Sequence, residues 1–384
     1  MRILYGVVGE GMGHATRSRV VLEHLLAAGH EVRVVVSGRA HGFLVDRFRG
    51  RRDIRFEEIH GLVLGFEGNA LDKSETFRLN LEALPAGLLK NIGVYRRVAE
   101  DGFAPEVVIS DFETWAYLYG LNHFLPVVSI DNMQVLNRCR HDADVTLDGA
   151  GAFKLAKGLV KAKLPFAWHY LVTSFFFPPV RKRKTTLVPP ILRPEILAAK
   201  REPGDHVLVY QTAATHAALV PALQRLPYAF RVYGMGREGQ EGNVTLKGFS
   251  EKGFIDDLRT ARAVVAGGGF SLMGEAVHLH VPMLSLPIEG QFEQVLNARY
   301  LQKLGYGRHA EVLDVEAIEA FVERSDDFAH SLERYVPRGN DMLFGCVDEL
   351  LRRVADGESA PDALDAPAMG TWSPDERDTA DLPG

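Results

Sequence analysis

The amino-acid sequence predicts an α/β protein with two domains, each a parallel sheet flanked by helices. Three observations predict this fold class. The chain has 384 residues, whereas a single hydrophobic core rarely serves more than about 300. Short apolar strands alternate with helical patterns along most of the chain, and a proline-rich stretch divides the alternation into two halves. We expect domains at residues 1–184 and 205–340, joined by a linker at residues 185–204.

The first domain opens with a strand, a glycine-rich loop, a helix and a second strand. Residues 2–8 and 31–36 are apolar runs, and residues 15–28 between them carry apolar side chains on one side. Two strands joined by a helix lie parallel, so this unit starts a parallel sheet. Further strands are predicted at residues 53–59, 105–111, 126–131 and 168–176.

Polar residues follow these strands where the chain leaves the sheet. The loop after the first strand ends in His14, while Asp111 and Asp131 end two later strands. Because open parallel sheets bind ligands at the carboxyl ends of their strands, we expect these residues to share one cleft. A histidine held by a carboxylate can act as a general base. Asp111 is the expected partner of His14, and Asp131 could take the same part.

The second half of the chain repeats the alternation of strands and helices. A helix at residues 341–354 ends the folded part, and residues 355–384 are acidic, rich in Ala, Pro and Asp, and predicted to be disordered. Strands are predicted at residues 207–210, 230–233, 244–248, 263–266 and 281–287, and helices at residues 216–226 and 254–259.

A glycine stretch lies between the strand at residues 263–266 and a helix that begins near Ser271. Glycines let the backbone approach a phosphate, and the free N–H groups of a first helical turn attract an anion. Glu275 falls on the first turns of this helix, within reach of a sugar hydroxyl on the same phosphate. The loop after the next strand delivers Glu293 and Gln294.

This order of features resembles the inverting GT-B glycosyltransferases. The opening Gly-x-Gly-x-Gly-His at residues 9–14 and the closing Gly-Gln-Phe-Glu-Gln at residues 290–294 are similar to those of a prokaryotic family-1-like group. The resemblance extends to UDP-glycosyltransferases and to the GlcNAc transferase that completes the peptidoglycan lipid intermediate. It implies two facing Rossmann-like domains, the first for the acceptor and the second for the nucleotide sugar. It also implies that the helix at residues 341–354 crosses back to the first domain.

The resemblance implies a role for each residue of the donor site. In such enzymes a Glu at the place of Glu275 binds the ribose, and an acidic residue and Gln at the place of Glu293 and Gln294 bind the transferred sugar. Many carry His or Arg for the diphosphate where this chain has Gly267 or Gly268, so that charge must be met here by backbone N–H groups, by Ser271 or by a residue from elsewhere. The expected donor-binding residues are Gly11, Gly13, Thr212, Phe249, Gly268, Gly269, Phe270, Ser271, Glu275, Glu293 and Gln294.

The reaction implied by the resemblance is transfer of a sugar from a nucleotide-diphosphate donor, most readily a UDP-sugar, to an acceptor hydroxyl with inversion. His14 and Asp111 are the expected catalytic residues. We expect no metal ion and no cofactor, because the nucleotide sugar is itself a substrate. The acceptor would be a glycan, a lipid-linked molecule or a small molecule.

Other functions fit parts of the same pattern. The UDP-GlcNAc 2-epimerases share the GT-B fold, and a non-catalytic nucleotide-sugar-binding protein would need the same donor site. An NADP enzyme with Arg39 on a 2′-phosphate is a further alternative, although His14 stands where its third glycine is expected. The triplet at residues 142–144 imitates a metal-binding Asp-x-Asp, but such triplets are common by chance.

Residues 154–184 contain eight Lys or Arg and no acidic residue, interleaved with apolar side chains. A basic amphipathic helix of this kind could lie on an anionic membrane, and a solvated helix face followed by a buried strand would explain the same residues. Without its tail the chain is close to neutral, and its basic charge is local. This distribution argues against nucleic acid as a partner.

Composition also predicts the compartment. Two cysteines, Cys139 and Cys346, are too few for a disulfide framework, and the amino terminus has an apolar run too short for a secretory signal. We therefore expect a cytoplasmic protein, with peripheral contact at the inner face of the membrane if residues 154–184 bind lipid.

Overall fold

The computed structural model describes residues 1–9, 11–61, 65–67, 70–146, 150–211, 219–312 and 314–364. Within these ranges the chain forms two domains of the predicted α/β class, each built on a seven-stranded sheet. A separate two-stranded antiparallel sheet lies between the third and sixth strands in sequence.

All neighbours in the first sheet are parallel, as the βαβ pattern predicts. Its strands, with the small antiparallel pair β4 and β5, are β1 (Arg2–Val7), β2 (Glu31–Val36), β3 (Ile54–Glu58), β4 (Gly65–Glu67), β5 (Ala70–Asp72), β6 (Val107–Asp111), β7 (Val127–Asp131), β8 (His169–Thr173) and β9 (Thr185–Val188). The strand order is β3-β2-β1-β6-β7-β8-β9.

The second sheet is parallel except for one edge strand. Its strands are β10 (Val207–Tyr210), β11 (Phe230–Tyr233), β12 (Gly239–Glu241), β13 (Val244–Lys247), β14 (Ala263–Ala266), β15 (Met283–Ser285) and β16 (Gly307–His309). The strand order is β12-β13-β11-β10-β14-β15-β16, and β12 pairs antiparallel with β13.

Helices connect the strands. They are α1 (Met12–Ala27), α2 (Gly38–Arg47), α3 (Lys73–Glu100), α4 (Thr114–Asn122), α5 (Val135–Arg138), α6 (Ala143–Thr146), α7 (Ala150–Lys163), α8 (Pro194–Leu197), α9 (Leu219–Gln224), α10 (Glu251–Thr260), α11 (Phe270–His278), α12 (Phe292–Lys303), α13 (Val315–Val322), α14 (Ser325–Leu332) and α15 (Asp341–Ala355). In the part of the chain that the structure describes, none of them is long and apolar enough to cross a bilayer.

Successive side chains of each sheet face different cores. Along β1, Ile3 and Val7 face one core of the first domain, while Leu4 faces a core that also contains Leu208 of the second domain. Along β10, Leu208 faces this shared core and Val209 faces an outer core. Strands buried on both faces give continuous apolar runs, which is why they are readable in the sequence.

Aromatic side chains carry the shared core across the domain boundary. Phe176, which follows β8, stacks on Tyr300 of α12 with ring centroids 3.9 Å apart. Phe175 stacks on Phe270 of α11 at 6.0 Å. These contacts bring the two sheets together on one side of the cleft, so the domains pack through apolar rings as well as through the linker.

The linker begins later than the sequence predicts. Thr185–Val188 form β9, which pairs with β8 and completes the first sheet, so a linker at residues 185–204 is wrong for its first four residues. The prolines from Pro189 onward are the sequence signal for a linker, but the β-branched run before them forms a strand. The connection between the domains therefore starts after Val188 and contains the short helix α8.

The last helix crosses back to the first domain, as expected. Leu343, Val347 and Leu350 of α15 lie in the same core as β1 and β2. His24 of α1 stacks on Phe344 with ring centroids 4.1 Å apart. The carboxyl-terminal helix thus completes a core whose other members come from the start of the chain.

The first residues of the predicted tail are packed, which corrects the expectation for this part. The Thr185 N–H donates to the Asp362 carbonyl at 2.9 Å, and the Leu364 N–H donates to the Thr186 hydroxyl at 2.9 Å. Leu364 packs against the core that contains α15. These contacts depend on backbone groups, the Thr186 hydroxyl and one leucine, so composition could not reveal them. Residues 365–384 lie outside the described residues.

Deleting residues 365–384 should leave the melting temperature unchanged, because their composition offers little apolar surface to bury. Deleting residues 355–384 should lower it by several degrees, since each lost hydrogen bond contributes about 1 kcal/mol and each kcal/mol shifts the midpoint by about 2–4 °C. Calorimetry of both truncated proteins beside the full chain measures the difference. Equal melting temperatures for the two truncations would show that the contacts of residues 356–364 contribute nothing.

Candidate active site

The candidate site lies where the carboxyl ends of β1, β6 and β7 face those of β14 and β15. Gly11 precedes α1 with φ of 85°, a backbone conformation that favours glycine. A side chain at Gly13 would place its Cβ 2.7 Å from Ser271 Oγ of the opposite domain. Ser271 Oγ also donates to the Gly13 carbonyl at 3.3 Å. The two predicted glycine loops therefore meet across the cleft.

The structure brings His14 and Asp111 together. His14 lies on the first turn of α1 with its side chain 20% exposed, and its Nδ1 is 2.9 Å from Oδ1 of the buried Asp111. Arg17 Nη2, which can only donate, lies 2.7 Å from the same Nδ1. An ionised carboxylate only accepts, and Arg17 Nη2 already pairs with Asp111, so we assign the Nδ1 proton to the hydrogen bond between His14 and Asp111. That tautomer leaves Nε2 without a proton, as a general base requires.

Arg17, one turn after His14 on α1, holds this pair in place. Its Nε donates to Asp111 Oδ2 at 2.9 Å, and its Nη2 forms a salt bridge with Asp111 Oδ1. The Ser18 hydroxyl donates to Asp111 Oδ2 at 2.8 Å. The carboxylate of Asp111 is therefore fixed by three side chains of one helix. Sequence reasoning missed Arg17, although the spacing of three residues from His14 was a usable signal.

Burial and charge set the protonation of the pair. Burial raises the pKa of Asp111, but the Arg17 guanidinium and His14 outweigh it and hold the pKa well below its usual range. Burial, reinforced by the positive charge of Arg17, lowers the pKa of His14. An ionised Asp111 beside a neutral His14 is thus the stable state at neutral pH.

Asp131 is not placed to orient His14. Its Oδ2 accepts from the Ser129 hydroxyl at 2.6 Å, and its Oδ1 accepts from the Gln134 N–H at 2.8 Å. Burial raises the pKa of Asp131 to about 6. Asp131 therefore caps the turn after β7, and Asp111 is the carboxylate that contacts His14.

Asn132 connects the pair to the second domain. Its Oδ1 accepts from Arg17 Nη1 at 2.5 Å, and its Nδ2 donates to Glu293 Oε1 at 2.6 Å. Asn297, one turn after Glu293 on α12, donates to the same oxygen at 2.5 Å. Burial raises the pKa of Glu293 to about 7. A continuous chain of hydrogen bonds thus runs from His14 to Glu293 across the cleft.

Gln294 organises the second glycine loop. Its Oε1 accepts from the N–H groups of Gly268 at 3.2 Å and Ile288 at 3.0 Å, and its Nε2 donates to Gln291 at 2.6 Å. A side chain at Gly268 would place its Cβ 2.6 Å from Gln294 Cβ. The Gly268 N–H is therefore engaged in this structure, and the glycine permits close packing against α12.

The helix α11 begins directly after the second glycine loop. Gly269 is its N-cap, and none of the described side chains caps it, so its first N–H groups have no side-chain partner among the described residues. The Phe270 side chain is buried against Phe175, so only its backbone could meet a ligand. Phe249 follows β13 and is 84% exposed, as a residue that stacks on a base would be. Thr212 lies outside the described residues.

Glu275 is buried and ion-paired. Arg193 of the linker donates to both of its carboxylate oxygens, from Nε to Oε1 at 2.8 Å and from Nη2 to Oε2 at 2.7 Å. Burial raises the pKa of Glu275 and the charge of Arg193 opposes this. Arg193 also pairs with Glu251, which pairs in turn with Arg19 of the first domain. Sequence reasoning missed Arg193, because nothing in a proline-rich linker marks one arginine as buried.

The Asp-x-Asp triplet has a structural explanation. Lys303 of α12 forms salt bridges with Asp142 and with Asp144, the latter at 3.1 Å. Among the described residues no three His, Cys, Asp or Glu side chains are grouped as metal ligands. The two carboxylates contribute to a surface contact between the domains.

Comparisons with known proteins agree on one class. The profile of the family described as Glycosyl transferase family 1 matches residues 1–325. An uncharacterized glycosyltransferase of Methanosarcina acetivorans is 26% identical over 336 residues, covering 80% of this chain and 85% of that protein.

Solved structures show the same fold. The structure of LpCGTa in complex with UDP superposes with a TM-score of 0.63 at 14% identity, covering 92% of this chain and 99% of that one. MurG of Acinetobacter baumannii superposes with a TM-score of 0.55 at 14% identity, covering 91% and 99%. The GT-B arrangement expected from the sequence is thereby confirmed.

Replacing Arg193 by Met should lower the free energy of unfolding by about 3–5 kcal/mol, because the Glu275 charge would stay buried without its partner. The double variant Arg193→Met/Glu275→Met should recover most of that loss. Urea unfolding of the unaltered chain, the single variant and the double variant measures the free energies of unfolding. Lys303→Met, which removes two more exposed ion pairs, is the control and should cost about 1 kcal/mol or less. A loss in Arg193→Met no larger than in this control would contradict the assigned role.

Proposed function

This chain belongs to glycosyl transferase family 1, and from that premise we propose that it moves a sugar from a UDP-sugar to an acceptor hydroxyl, with inversion and without a metal ion. The observation that carries the proposal is the hydrogen-bonded pair of His14 and Asp111 at the cleft, 2.9 Å apart. The same hydrogen-bond chain reaches Glu293 on the opposite wall.

The proposed reaction is a single displacement. His14 Nε2 takes the proton of the acceptor hydroxyl as its oxygen bonds to the anomeric carbon and the bond to the UDP oxygen breaks. Asp111 holds the imidazole in the required tautomer and stabilises the imidazolium that forms. Attack from the face opposite the leaving UDP inverts the anomeric configuration.

The second domain would bind the donor. Phe249 would stack on the base, Glu275 would accept a ribose hydroxyl while paired with Arg193, and Glu293 would accept from the transferred sugar. Gln294 has one amide hydrogen left after its hydrogen bonds to the loops, and this hydrogen could reach the same sugar. The UDP in the related LpCGTa structure supports uridine as the base.

The diphosphate would lie at the start of α11. N–H groups of Gly269, Phe270 and Ser271 and the positive end of the helix dipole would meet its charge, in place of a cation. Gly11 and Gly13 would let the first loop approach the same group. Because Gly268 donates to Gln294, we place its contribution in the shape of the loop.

Family membership favours sugar transfer over the two alternatives that share the fold. An epimerase would return an isomerised nucleotide sugar, and a binding protein would return it unchanged. Incubation with UDP-sugars and candidate acceptors, followed by product analysis, separates the three outcomes directly.

The variant His14→Ala should lower the transfer rate by about 10²- to 10⁴-fold, because the acceptor hydroxyl loses its base, while UDP affinity stays nearly intact. Asp111→Asn should impair the same step. Initial rates measure the transfer step, and titration calorimetry with UDP measures the nucleotide affinity.

His330→Ala is the matched control, since His330 is exposed on α14 in the second domain. Near-normal turnover of His14→Ala, a product that keeps the donor's anomeric configuration, or activity abolished by EDTA and restored by magnesium would each contradict the proposed mechanism.

Donor affinity should fall as the pH drops below about 7. Burial raises the pKa of Glu293 to about 7, so the carboxylate that accepts sugar hydroxyls is ionised above that pH and protonated below it. The affinity for an intact UDP-sugar, relative to that for UDP alone, should follow this titration. Calorimetry with both ligands between pH 5.5 and pH 8.5 covers about 1.5 units on each side, enough to resolve one titration.

The variant Glu293→Gln should bind the UDP-sugar weakly at every pH and lose the relative pH dependence. Glu289→Gln, at an exposed position in the loop before α12, should retain it. A titration that persists in Glu293→Gln would assign the effect to another group.

A further inference from the structure

The helix α7 presents apolar side chains on both of its faces. Val160 packs into the shared core, and Phe153 and Ala156 pack against it. On the outer face, Leu155 is 62% exposed and Leu159 is 63% exposed. A helix packed on one side normally has a polar outer face, so these two leucines need another explanation.

The apolar surface continues beyond the end of α7. Phe166, in the loop that follows, is 82% exposed, and Phe124, before β7, is 95% exposed. Both line one shallow groove together with Leu121 and Trp168. We call Leu155, Leu159, Phe166 and Phe124, with the cations of α7, the α7 surface. Exposed apolar residues alone are ordinary on a protein surface, whereas several large ones grouped with unpaired cations indicate a site for an anionic partner with an apolar part.

Three lysines on the outer part of α7 have no carboxylate partner in the part of the chain that the structure describes. Lys154, Lys157 and Lys161 on α7 form no salt bridge with any described residue, and the same holds for Arg181. Burial and then the like charges of Arg181, Arg138, Lys161 and Lys157 lower the pKa of Lys182 to about 8. By contrast, Lys90 and Arg97 of α3 are paired, Lys90 with Glu58 at 2.7 Å and Arg97 with Glu57 at 2.9 Å. The α7 surface therefore carries uncompensated positive charge.

An anionic bilayer matches both properties together. Lipid headgroups neutralise the lysines, and the acyl boundary accepts the leucine and phenylalanine side chains. Lysine stems extend along an apolar surface while their ammonium groups stay in water. A nucleic acid would use the cations and leave Leu155 and Leu159 in water. An acidic soluble protein would do the same unless it brought its own apolar face.

We propose that the α7 surface docks on an anionic lipid bilayer, with α7 lying along the membrane plane. Docking would hold the protein on the membrane surface, and it requires no segment that crosses the bilayer. The proposal rests on this surface alone and does not depend on the sugar donor, the acceptor or the catalytic pair.

The test is flotation of the full chain with vesicles of phosphatidylcholine, with and without phosphatidylglycerol. We expect binding to the anionic vesicles only. Lys154→Glu/Lys161→Glu should weaken that binding by about tenfold or more, since each lysine near an anionic surface contributes about fivefold. Leu155→Ser/Leu159→Ser should weaken it as well, and the remaining binding should disappear at high salt.

The control is Leu88→Ser/Leu89→Ser on α3, where the leucines are 56% and 71% exposed and the nearby cations are paired. This variant should bind as the unaltered chain does, and equal melting temperatures show that all variants are folded. Three results would overturn the proposal: no binding of the unaltered chain, an equal loss in the α3 control, or full binding by Leu155→Ser/Leu159→Ser. The last result would assign the surface to a purely electrostatic partner such as an acidic protein.

Discussion

The buried guanidinium of Arg17 is the interaction on which the rest of the site depends. A cation with a 5% exposed side chain is tolerated only with partners for its hydrogen-bond donors, and Asp111 and Asn132 supply them. Satisfying Arg17 fixes the carboxylate that orients His14 and the amide that reaches Glu293. The base and the donor loop are therefore coupled through one charge, and a change at either end alters the hydrogen bonds of the other.

The linker belongs to the site as well as joining the domains. Arg193 comes directly before α8 and holds Glu275 of the second domain, while Glu195 within α8 pairs with Arg19 of the first. Any rotation of one domain against the other would have to rearrange this ion network, because its members come from both domains and from the connection between them. The position of the ribose-binding candidate thus depends on the relative position of the domains.

Much of the fold could be predicted, because buried parallel strands leave continuous apolar runs and polar residues collect at their carboxyl ends. The approach of His14 to Asp111 followed from that geometry. Arg193 could not be predicted in the same way, since an arginine in a linker is ordinarily solvated and only tertiary packing buries it. For Arg17 the only signal in the sequence was its spacing of three residues from His14. β9 was missed because the prolines directly after it led to a predicted linker that starts four residues too early. The hydrogen bonds that Asp362 and Leu364 make to β9 were missed because backbone groups leave no pattern in side-chain composition.

The position of α15 delays completion of the first domain during protein synthesis. Leu343, Val347 and Leu350 fill the core that β1 and β2 line, so the first domain is discontinuous in sequence. During synthesis on the ribosome, this core stays open until the end of the chain has emerged, although domains usually fold as units from the amino terminus. The nascent first half would expose an apolar face throughout translation of the second half, which makes it a natural client for chaperones. Premature termination anywhere before α15 would leave that face permanently uncovered.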